Sequence, residues 1–287
     1  MSNPLPRVSI VLSISESSIG LEHALAAIAA QTHPNVECFI VALNARDSIR
    51  ATLARFHEKI TPLENDSTDP ISQLNRAFAM SRCEIMTWLD ANERLFPWAC
   101  ERAANLFEQL PEIHWLTSTL DYQWTPDQFC VAGKTGLGYA RATFLRGRHL
   151  PGAAAFQYPI RRAGTFWRRS LWEQTGGRIN ALLEDAGDFE LWARFWNRAQ
   201  LAACELPFGG RQAAVPNFMH TPRYFKAAQR ALGRTLPTGS PYRLAETLRR
   251  QLTRRIPIFK DRWSSYPLYV LNTNMQEKFS ARTIPMA

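Results

Sequence analysis

The sequence predicts an α/β protein in which helices flank a mainly parallel sheet. Over its first ~115 residues, short runs rich in β-branched residues alternate with segments whose apolar residues recur at helical spacing. Clusters of Pro, Asn, Asp and Ser separate several of these segments. Strand–helix alternation builds right-handed βαβ units, and ligands of such sheets bind beyond the carboxyl ends of the strands.

Each element is predicted from its own pattern of residues. Continuous apolar runs predict buried strands at residues 8–14, 38–43, 85–89 and 113–118. Apolar residues on one helical face predict helices near residues 21–28, 49–56, 71–78 and 97–110. Residues 120–165 lose this rhythm, which leaves open a long excursion or an antiparallel insert. Regularity returns at 165–172 and in a helix near 189–196.

Composition restricts the class of protein. Of 287 residues, 46% are hydrophobic and 21% charged, which excludes a fibrous or wholly disordered chain. The five cysteines are scattered without a CxxC pair, so we expect reduced thiols and no structural zinc site. The amino terminus has no basic segment followed by an apolar one, and no stretch approaches the ~18 apolar residues of a membrane span. We therefore expect a cytoplasmic protein.

The positive charge is concentrated in residues 223–262. Eleven basic residues there face only two acidic ones, so this segment alone carries nine net positive charges, as many as the whole chain. Such a segment attracts phosphate groups of nucleotides, nucleic acid or anionic lipid. No known nucleic-acid motif accompanies it, so we do not expect a nucleic-acid partner.

Part of the basic segment has the pattern of an amphipathic helix. Leucine or isoleucine recurs every fourth residue and arginines border this stripe. The apolar positions are Leu244, Leu248, Leu252 and Ile256, and the arginines are Arg249, Arg250, Arg254 and Arg255. Two interpretations remain open: a helix packed on the rest of the chain, or one lying on an anionic membrane.

The third predicted strand leads into the segment Trp88-Leu-Asp-Ala-Asn-Glu93. In an extended segment, residues two apart point the same way, so Asp90 and Asn92 could present oxygens to one divalent cation, with Glu93 as a third ligand. Mg²⁺ commonly combines a few such ligands with water and substrate phosphates. The alternative is a loop or capping role, which Asp and Asn often have.

A second acidic cluster surrounds Asp188. Glu190 and Arg194 are four residues apart on a predicted helix and could form an ion pair. Asp188, near the start of that helix, could be a helix cap. The functional alternative makes Asp188 a general base at the mouth of a cleft, with Asp185 as the next candidate.

Six motifs occur in an order that resembles the inverting family-2 glycosyltransferases of the GT-A fold, over about residues 6–215. They are Val8-Ser-Ile-Val-Leu, Gln31-Thr-His-Pro-Asn-Val-Glu37, Asn75-Arg-Ala-Phe-Ala, Trp88-Leu-Asp-Ala-Asn-Glu-Arg-Leu-Phe-Pro97, Thr165-Phe-Trp-Arg-Arg-Ser-Leu-Trp-Glu-Gln-Thr-Gly-Gly177 and Gly187-Asp-Phe-Glu-Leu-Trp-Ala-Arg194.

The resemblance implies a Rossmann-like GT-A domain at 1–215, divided into a nucleotide-binding half (1–118) and an acceptor half (119–215). Residues 216–287 are then a basic helical C-terminal extension. The implied activity moves a sugar, with inversion, from a nucleoside-diphosphate donor to a saccharide or lipid-linked saccharide. A lipid-linked acceptor agrees with peripheral contact between residues 223–262 and the inner face of an anionic membrane.

The resemblance also implies roles for individual residues. Asp188 takes the position of the catalytic base, and Asp90 and Asn92 take the DxD position that holds Mg²⁺ or Mn²⁺ on the donor diphosphate. We expect Asn44, Asp47, Asn75 and Asp90 to contact the donor.

The chain also departs from the family pattern. Asn92 replaces a second Asp, and the turn after the second strand keeps only Asp47 and Asn44 of its usual polar residues. Arg161-Arg-Ala163 stands where relatives often carry Gln and Glu. The alternative function is therefore a GT-A-like domain that has lost turnover and acts as a binding or assembly partner.

Overall fold

The computed structural model describes residues 5–14, 20–42, 47–58, 60–63, 69–133, 138–153, 156–214, 218–236, 265–272 and 278–285. Its strands are β1 Val8–Ile14, β2 Val36–Ala42, β3 Thr61–Pro62, β4 Ile85–Asp90, β5 Glu93–Leu95, β6 Trp115–Ser118, β7 Tyr122–Trp124, β8 Cys130–Ala132, β9 Thr165–Arg168, β10 Ala202–Cys204, β11 Gly209–Gln212, β12 Ser265–Asn272 and β13 Lys278–Pro285. Its α-helices are α1 Leu21–Ala29, α2 Asp47–Ala54, α3 Pro70–Met80, α4 Ala99–Gln109, α5 Arg141–Leu145, α6 Arg169–Gln174, α7 Gly187–Phe195 and α8 Pro222–Ala231.

The predicted α/β fold is confirmed. Nine strands form one sheet in the order β13-β12-β10-β6-β9-β4-β1-β2-β3. The neighbours β4, β1, β2 and β3 run parallel, as do β6, β10 and β12, whereas β9 is antiparallel to both β4 and β6. The parallel half places the carboxyl ends of β1, β2 and β4 on one edge of the sheet.

The irregular stretch after residue 120 contains an antiparallel hairpin. Strands β7 and β8 pair antiparallel and join a second sheet in the order β5-β11-β7-β8. Because β5 directly follows the end of β4, this small sheet begins beside the carboxyl end of the main one.

Apolar residues cover both faces of the main sheet, as expected for central parallel strands. Along β1, Ile10 and Leu12 belong to one buried cluster and Val11 to the other. Trp167 and Trp192 are fully buried in the same cluster as Val11 and fill the core on that face of the sheet.

The predicted helical extension is only partly helical. Helix α8 begins after Thr221, whose hydroxyl accepts a hydrogen bond from the amide of Tyr224 at 3.2 Å. Strands β12 and β13 form an antiparallel hairpin instead of helix, and β12 extends the main sheet by pairing with β10. Tyr266, Tyr269 and Val270 of β12 are residue types that favour a strand. Residues 237–264, with the arginine-bordered stripe, lie outside the described residues.

Among the helices that the structure describes, none is long and apolar enough to cross a membrane.

Candidate active site

Strand β4 delivers Asp90 to the carboxyl edge of the main sheet. Asp90 is the last residue of the strand and lies opposite Ser13 in the register of β1 and β4. The Ser13 hydroxyl donates to the carbonyl of Leu89 and accepts from the indole of Trp88, both at 3.1 Å. These bonds fix the strand end and place Asp90 where ligands of parallel sheets bind.

Asp90 and Asn92 form a turn, because the strand ends at Asp90. Oδ1 of Asp90 accepts hydrogen bonds from both the backbone and the side-chain amide nitrogen of Asn92, each at 3.0 Å. Oδ1 of Asn92 instead accepts from the backbone amide of Gly20 at 3.3 Å. The expectation that both side chains turn oxygens toward one point is therefore wrong. It assumed extended backbone from Asp90 to Asn92, but the strand ends at Asp90 and a turn follows.

Glu93 lies beneath this turn. Its Oε2 accepts a hydrogen bond from the backbone amide of Asp90 at 2.9 Å and lies 3.7 Å from Nε of Arg162. Burial raises the pKa of Glu93, the charge of Asp90 raises it further, and Arg162 opposes the shift. Glu93 is thus engaged within the fold.

This donor set does not fit Mg²⁺ or Mn²⁺ in the arrangement described. The amide group that Asn92 turns toward Asp90 is a hydrogen-bond donor, and Glu93 is committed to Asp90 and Arg162. Of the three oxygen-bearing side chains predicted to bind the cation, only the Asp90 carboxylate is then left as a ligand, and water and substrate phosphates would have to supply the other oxygens. Within the described part of the chain, no group of three His, Cys, Asp or Glu side chains could hold a metal ion.

Arg162 lies in the middle of the acidic groups. It is 8% exposed, and its guanidinium carbon lies 4.7 Å from the ring centre of Trp88. Burial alone would lower the pKa of Arg162, but the charges of Glu93, Asp90 and Asp188 outweigh it and raise the pKa. A permanently charged guanidinium therefore connects the donor-side carboxylates with the predicted base.

Asp188 is buried at the amino-terminal turn of α7, with 2% of its surface exposed. Its Oδ1 accepts a hydrogen bond from the amide of Phe189 at 2.8 Å, and its Oδ2 has no hydrogen-bond partner of good geometry among the described residues. Burial raises the pKa of Asp188, while Arg162, the Phe189 amide and the nearby Tyr224 hydroxyl oppose the rise.

The alternative role of Asp188 as a helix cap is wrong. The capping position belongs to Ala186, and no side chain caps this helix end. The predicted ion pair on the same helix is confirmed, because Nε of Arg194 lies 2.8 Å from Oε1 of Glu190. Asp188 thus combines deep burial, a raised pKa and an oxygen, Oδ2, whose nearest partner is the Tyr224 hydroxyl at poor hydrogen-bond geometry, and functional carboxylates often have such surroundings.

Asn75 has a different partner from the one expected. Its amide nitrogen donates to the carbonyl of Ile179 at 3.0 Å, and its Oδ1 accepts from the amide of Ile179 at 2.6 Å. Asn75 therefore ties α3 to the segment that leads to Asp188, and both ends of its amide are occupied by this link. The expected direct contact between Asn75 and the donor stays a prediction.

Two further residues, Asp47 and Asn44, were predicted to contact the nucleotide-sugar donor. Asp47 is exposed at the first residue of α2, which follows β2 and its carboxyl end. Asn44 and the side chain of Asp185 lie outside the described part of the chain.

Two side chains of the cluster were not among the predicted site residues. Arg162 was visible in the sequence only as a departure from the family pattern. No sequence motif pointed to Tyr224, yet it is fully buried in the core. Burial raises the pKa of Tyr224, and the nearby charge of Asp188 raises it further. Because Tyr224 belongs to α8, the segment after residue 215 contributes to the cluster around Asp188.

A polar cleft opens beside Arg162, at the carboxyl end of β6. Arg161 and Asp121 form a two-point ion pair across it, with nitrogen–oxygen distances of 2.8 and 3.1 Å. Hydroxyl groups and aromatic rings complete the lining, from Thr117, Ser118, Thr119, Tyr139 and Tyr158.

Comparison with known proteins agrees with this architecture. The sequence model of "Glycosyl transferase family 2" matches residues 9–164, more than half of the chain. No curated protein matches the chain significantly.

Solved structures of Staphylococcus aureus TarS have a similar fold. Residues 1–349 of TarS superpose with a TM-score of 0.53 at 15% identity, covering 87% of this chain and 72% of that one. The same fragment in complex with UDP-GlcNAc superposes with a TM-score of 0.53 at 16% identity, covering 90% of this chain and 76% of the fragment. A longer TarS structure superposes with a TM-score of 0.51 at 15% identity. That match covers 90% of this chain but only 45% of the TarS chain.

Proposed function

Because this chain belongs to glycosyl transferase family 2, we propose that it moves a sugar from a nucleoside-diphosphate donor to a saccharide or lipid-linked saccharide, with inversion at the anomeric carbon. The observation that carries the proposal is the buried carboxylate of Asp188, whose Oδ2 has no well-formed partner among the described residues. It lies beside the cation of Arg162, which also interacts with Asp90 at the end of β4.

The donor binds at the carboxyl edge of the parallel strands. Asp90 and Asp47 follow β4 and β2 there, and Asn44 belongs to the loop between β2 and α2. A TarS fragment of the same fold was crystallised with UDP-GlcNAc, which supports a nucleotide sugar as the donor class. Carboxylates at this edge suit the hydroxyls and imino groups of a nucleoside.

Asp188 acts as the general base of the transfer. It takes the proton from the acceptor hydroxyl as that oxygen forms a bond to the anomeric carbon. The bond between the anomeric carbon and the β-phosphate oxygen breaks, and its electron pair leaves with the nucleoside diphosphate. Attack from the opposite face inverts the anomeric carbon, and a positioned base contributes ~10²–10⁴-fold to such a step. The raised pKa of Asp188 makes its carboxylate a stronger base than an exposed aspartate.

The acceptor occupies the polar cleft between Asp121 and Arg161. Arg161 lines this cleft and is the chain neighbour of Arg162, which belongs to the acidic cluster. The charged side chains of Arg161 and Asp121 would form hydrogen bonds with the hydroxyls of a sugar ring and orient it.

We propose that the protein works in the cytoplasm and that residues 223–262 contact the inner face of an anionic membrane. The support is the concentration of positive charge in this segment. Such a contact would bring the cleft to a lipid-linked acceptor.

A binding domain without turnover is the second candidate. The turn formed by Asp90 and Asn92 favours this candidate. The side-chain amide of Asn92 donates to Asp90 and accepts from Gly20, so it is not turned toward a catalytic metal ion. This candidate shares the donor site but does not need Asp188 as a base.

Calorimetry with a panel of UDP- and GDP-sugars, in EDTA and with excess MnCl₂, tests the proposal. We expect one donor to bind. The binding free energy lost in Asp90→Ala should exceed the free energy of unfolding lost in the same variant. Arg7→Gln is the matched control, since Arg7 is half-exposed and pairs with Glu84 at the opposite, amino end of the strands. If the wild type binds no nucleotide sugar under either condition, the proposal fails.

A further inference from the structure

We propose that Arg162 supplies the positive charge that holds the donor diphosphate, so that this chain binds its donor without a divalent cation. The inference rests on the proposed function and specifies how that same site neutralises phosphate.

The position of Arg162 is the first argument. Arg162 pairs with Glu93 at 3.7 Å, and Glu93 accepts a hydrogen bond from the backbone amide of Asp90 at the end of β4. The charge of Arg162 also acts on Asp188, the proposed base. In the proposed transfer, negative charge grows on the β-phosphate oxygen. A guanidinium offers five donors in a planar fork that matches phosphate oxygens.

The preorganisation of Arg162 is the second argument. Glu93 holds it through a 3.7 Å ion pair, and the ring of Trp88 supports it from one face at 4.7 Å. Glu93 is itself fixed by the backbone amide of Asp90. The cation is therefore attached to the turn that ends β4, and a fixed charge needs little reorganisation when charge develops.

The arrangement of Asn92 is the third argument. Its amide nitrogen faces Asp90, and its oxygen is used by Gly20. A divalent cation on Asp90 would have to displace this turn and would also meet the charge of Arg162 at short range, which is repulsive. Either Arg162 or a metal ion could neutralise the negative charge of the donor diphosphate.

Binding of UDP and GDP, measured by calorimetry in EDTA and with excess MnCl₂, tests the inference. We expect the wild type to bind one of them equally in both conditions, and Arg162→Gln to weaken binding in EDTA by at least ~10-fold. Arg7→Gln should bind like the wild type. The double variant N92D/R162Q, which replaces the cation by a second acidic ligand, should bind more tightly with Mn²⁺ than in EDTA.

Loss of folding is separated from loss of binding by a second double variant. Arg162→Gln alone leaves Glu93 and Asp188 without their counter-charge and can fail to fold. E93Q/R162Q removes the ion pair as a unit; we expect it to melt cooperatively and to show the same loss of binding. Arg162→Lys, which keeps the charge without the fork, should bind with intermediate affinity.

The outcomes distinguish this inference from the proposed function. Binding by the wild type only with Mn²⁺, or unchanged binding in EDTA by a folded E93Q/R162Q, overturns the role of Arg162 and leaves the proposed function standing. Absence of binding to UDP, GDP and their sugars in both conditions overturns both.

Discussion

Asn75 and Ile179 are joined by two hydrogen bonds, although they are 104 residues apart in the chain. The Asn75 amide nitrogen donates to the Ile179 carbonyl at 3.0 Å, and Asn75 Oδ1 accepts from the Ile179 amide at 2.6 Å. Gly187, which precedes Asp188, packs on the same segment: a Cβ added there would lie 2.7 Å from Cγ2 of Ile179. The position of Asp188, the proposed base, thus depends on a residue of α3.

Asn75→Ala should therefore act on stability and turnover together. It leaves two backbone groups of Ile179 unpaired, which costs about 1–3 kcal/mol each when such groups are buried. We expect a lower melting temperature and slower turnover at a nearly unchanged donor Kd, measured by thermal denaturation and calorimetry. A weakened donor Kd with unchanged melting would instead support the direct donor contact expected from the sequence.

Asp188→Asn should stabilise the fold at neutral pH. The pKa of Asp188 is raised by burial, so between the ordinary aspartate pKa and this raised value the folded protein binds more protons than the unfolded chain. Stability then falls as the pH rises through this window, and the ionised carboxylate lowers the free energy of unfolding above it. The asparagine variant escapes this penalty.

Melting temperatures as a function of pH measure this effect. The advantage of Asp188→Asn should be present at neutral pH and vanish below the ordinary aspartate pKa. Asp127→Asn, at an exposed position, is the control and should melt like the wild type. A variant that melts below the wild type at neutral pH would show that the attraction of Arg162 outweighs burial.

Gly20→Ala should weaken donor binding. A Cβ at Gly20 would lie 2.7 Å from the carbonyl oxygen of Ala91 and 3.0 Å from Cα of Asn92, so the start of α1 must move away from the turn after β4. The hydrogen bond from Gly20 to Asn92 would be lost with it. We expect a cost of about 1 kcal/mol, a roughly fivefold rise in the donor Kd by calorimetry. An unchanged Kd in the folded variant would separate this turn from the donor site.

Replacing Arg249, Arg250, Arg254 and Arg255 by Gln should reduce binding to anionic liposomes. Each arginine near such a surface contributes about 1 kcal/mol, and the attraction is screened by salt. Sedimentation at low and high salt, with neutral liposomes as the control, measures it. No dependence on lipid charge at low salt would leave the packed-helix interpretation standing.

Much of the fold could be predicted from the sequence, because periodicity records which faces are buried. The pattern of residues 8–14 predicted β1, and the spacing of Ile71, Leu74 and Phe78 predicted α3. Strands β12 and β13 were missed because their segment shows no clear alternation and depends on pairing with β10 for its place.

The site was harder to predict because its contacts are long-range. The spacing of Asp90 and Asn92 predicted a shared ligand, but spacing cannot show that the strand ends at Asp90. The ion pair between Glu93 and Arg162 joins residues far apart in the chain, and no local pattern records it. Asp188 was identified by resemblance to a motif, whereas its burial and raised pKa come from packing between α7 and α8.

Release of nucleoside diphosphate from the bound nucleotide sugar, measured for the wild type and for Asp188→Asn, decides whether Asp188 is the base. We expect the variant to bind the donor with the affinity of the wild type but to release product at least ~10²-fold more slowly. Equal rates of release in the two proteins would contradict the assignment of Asp188 as the base.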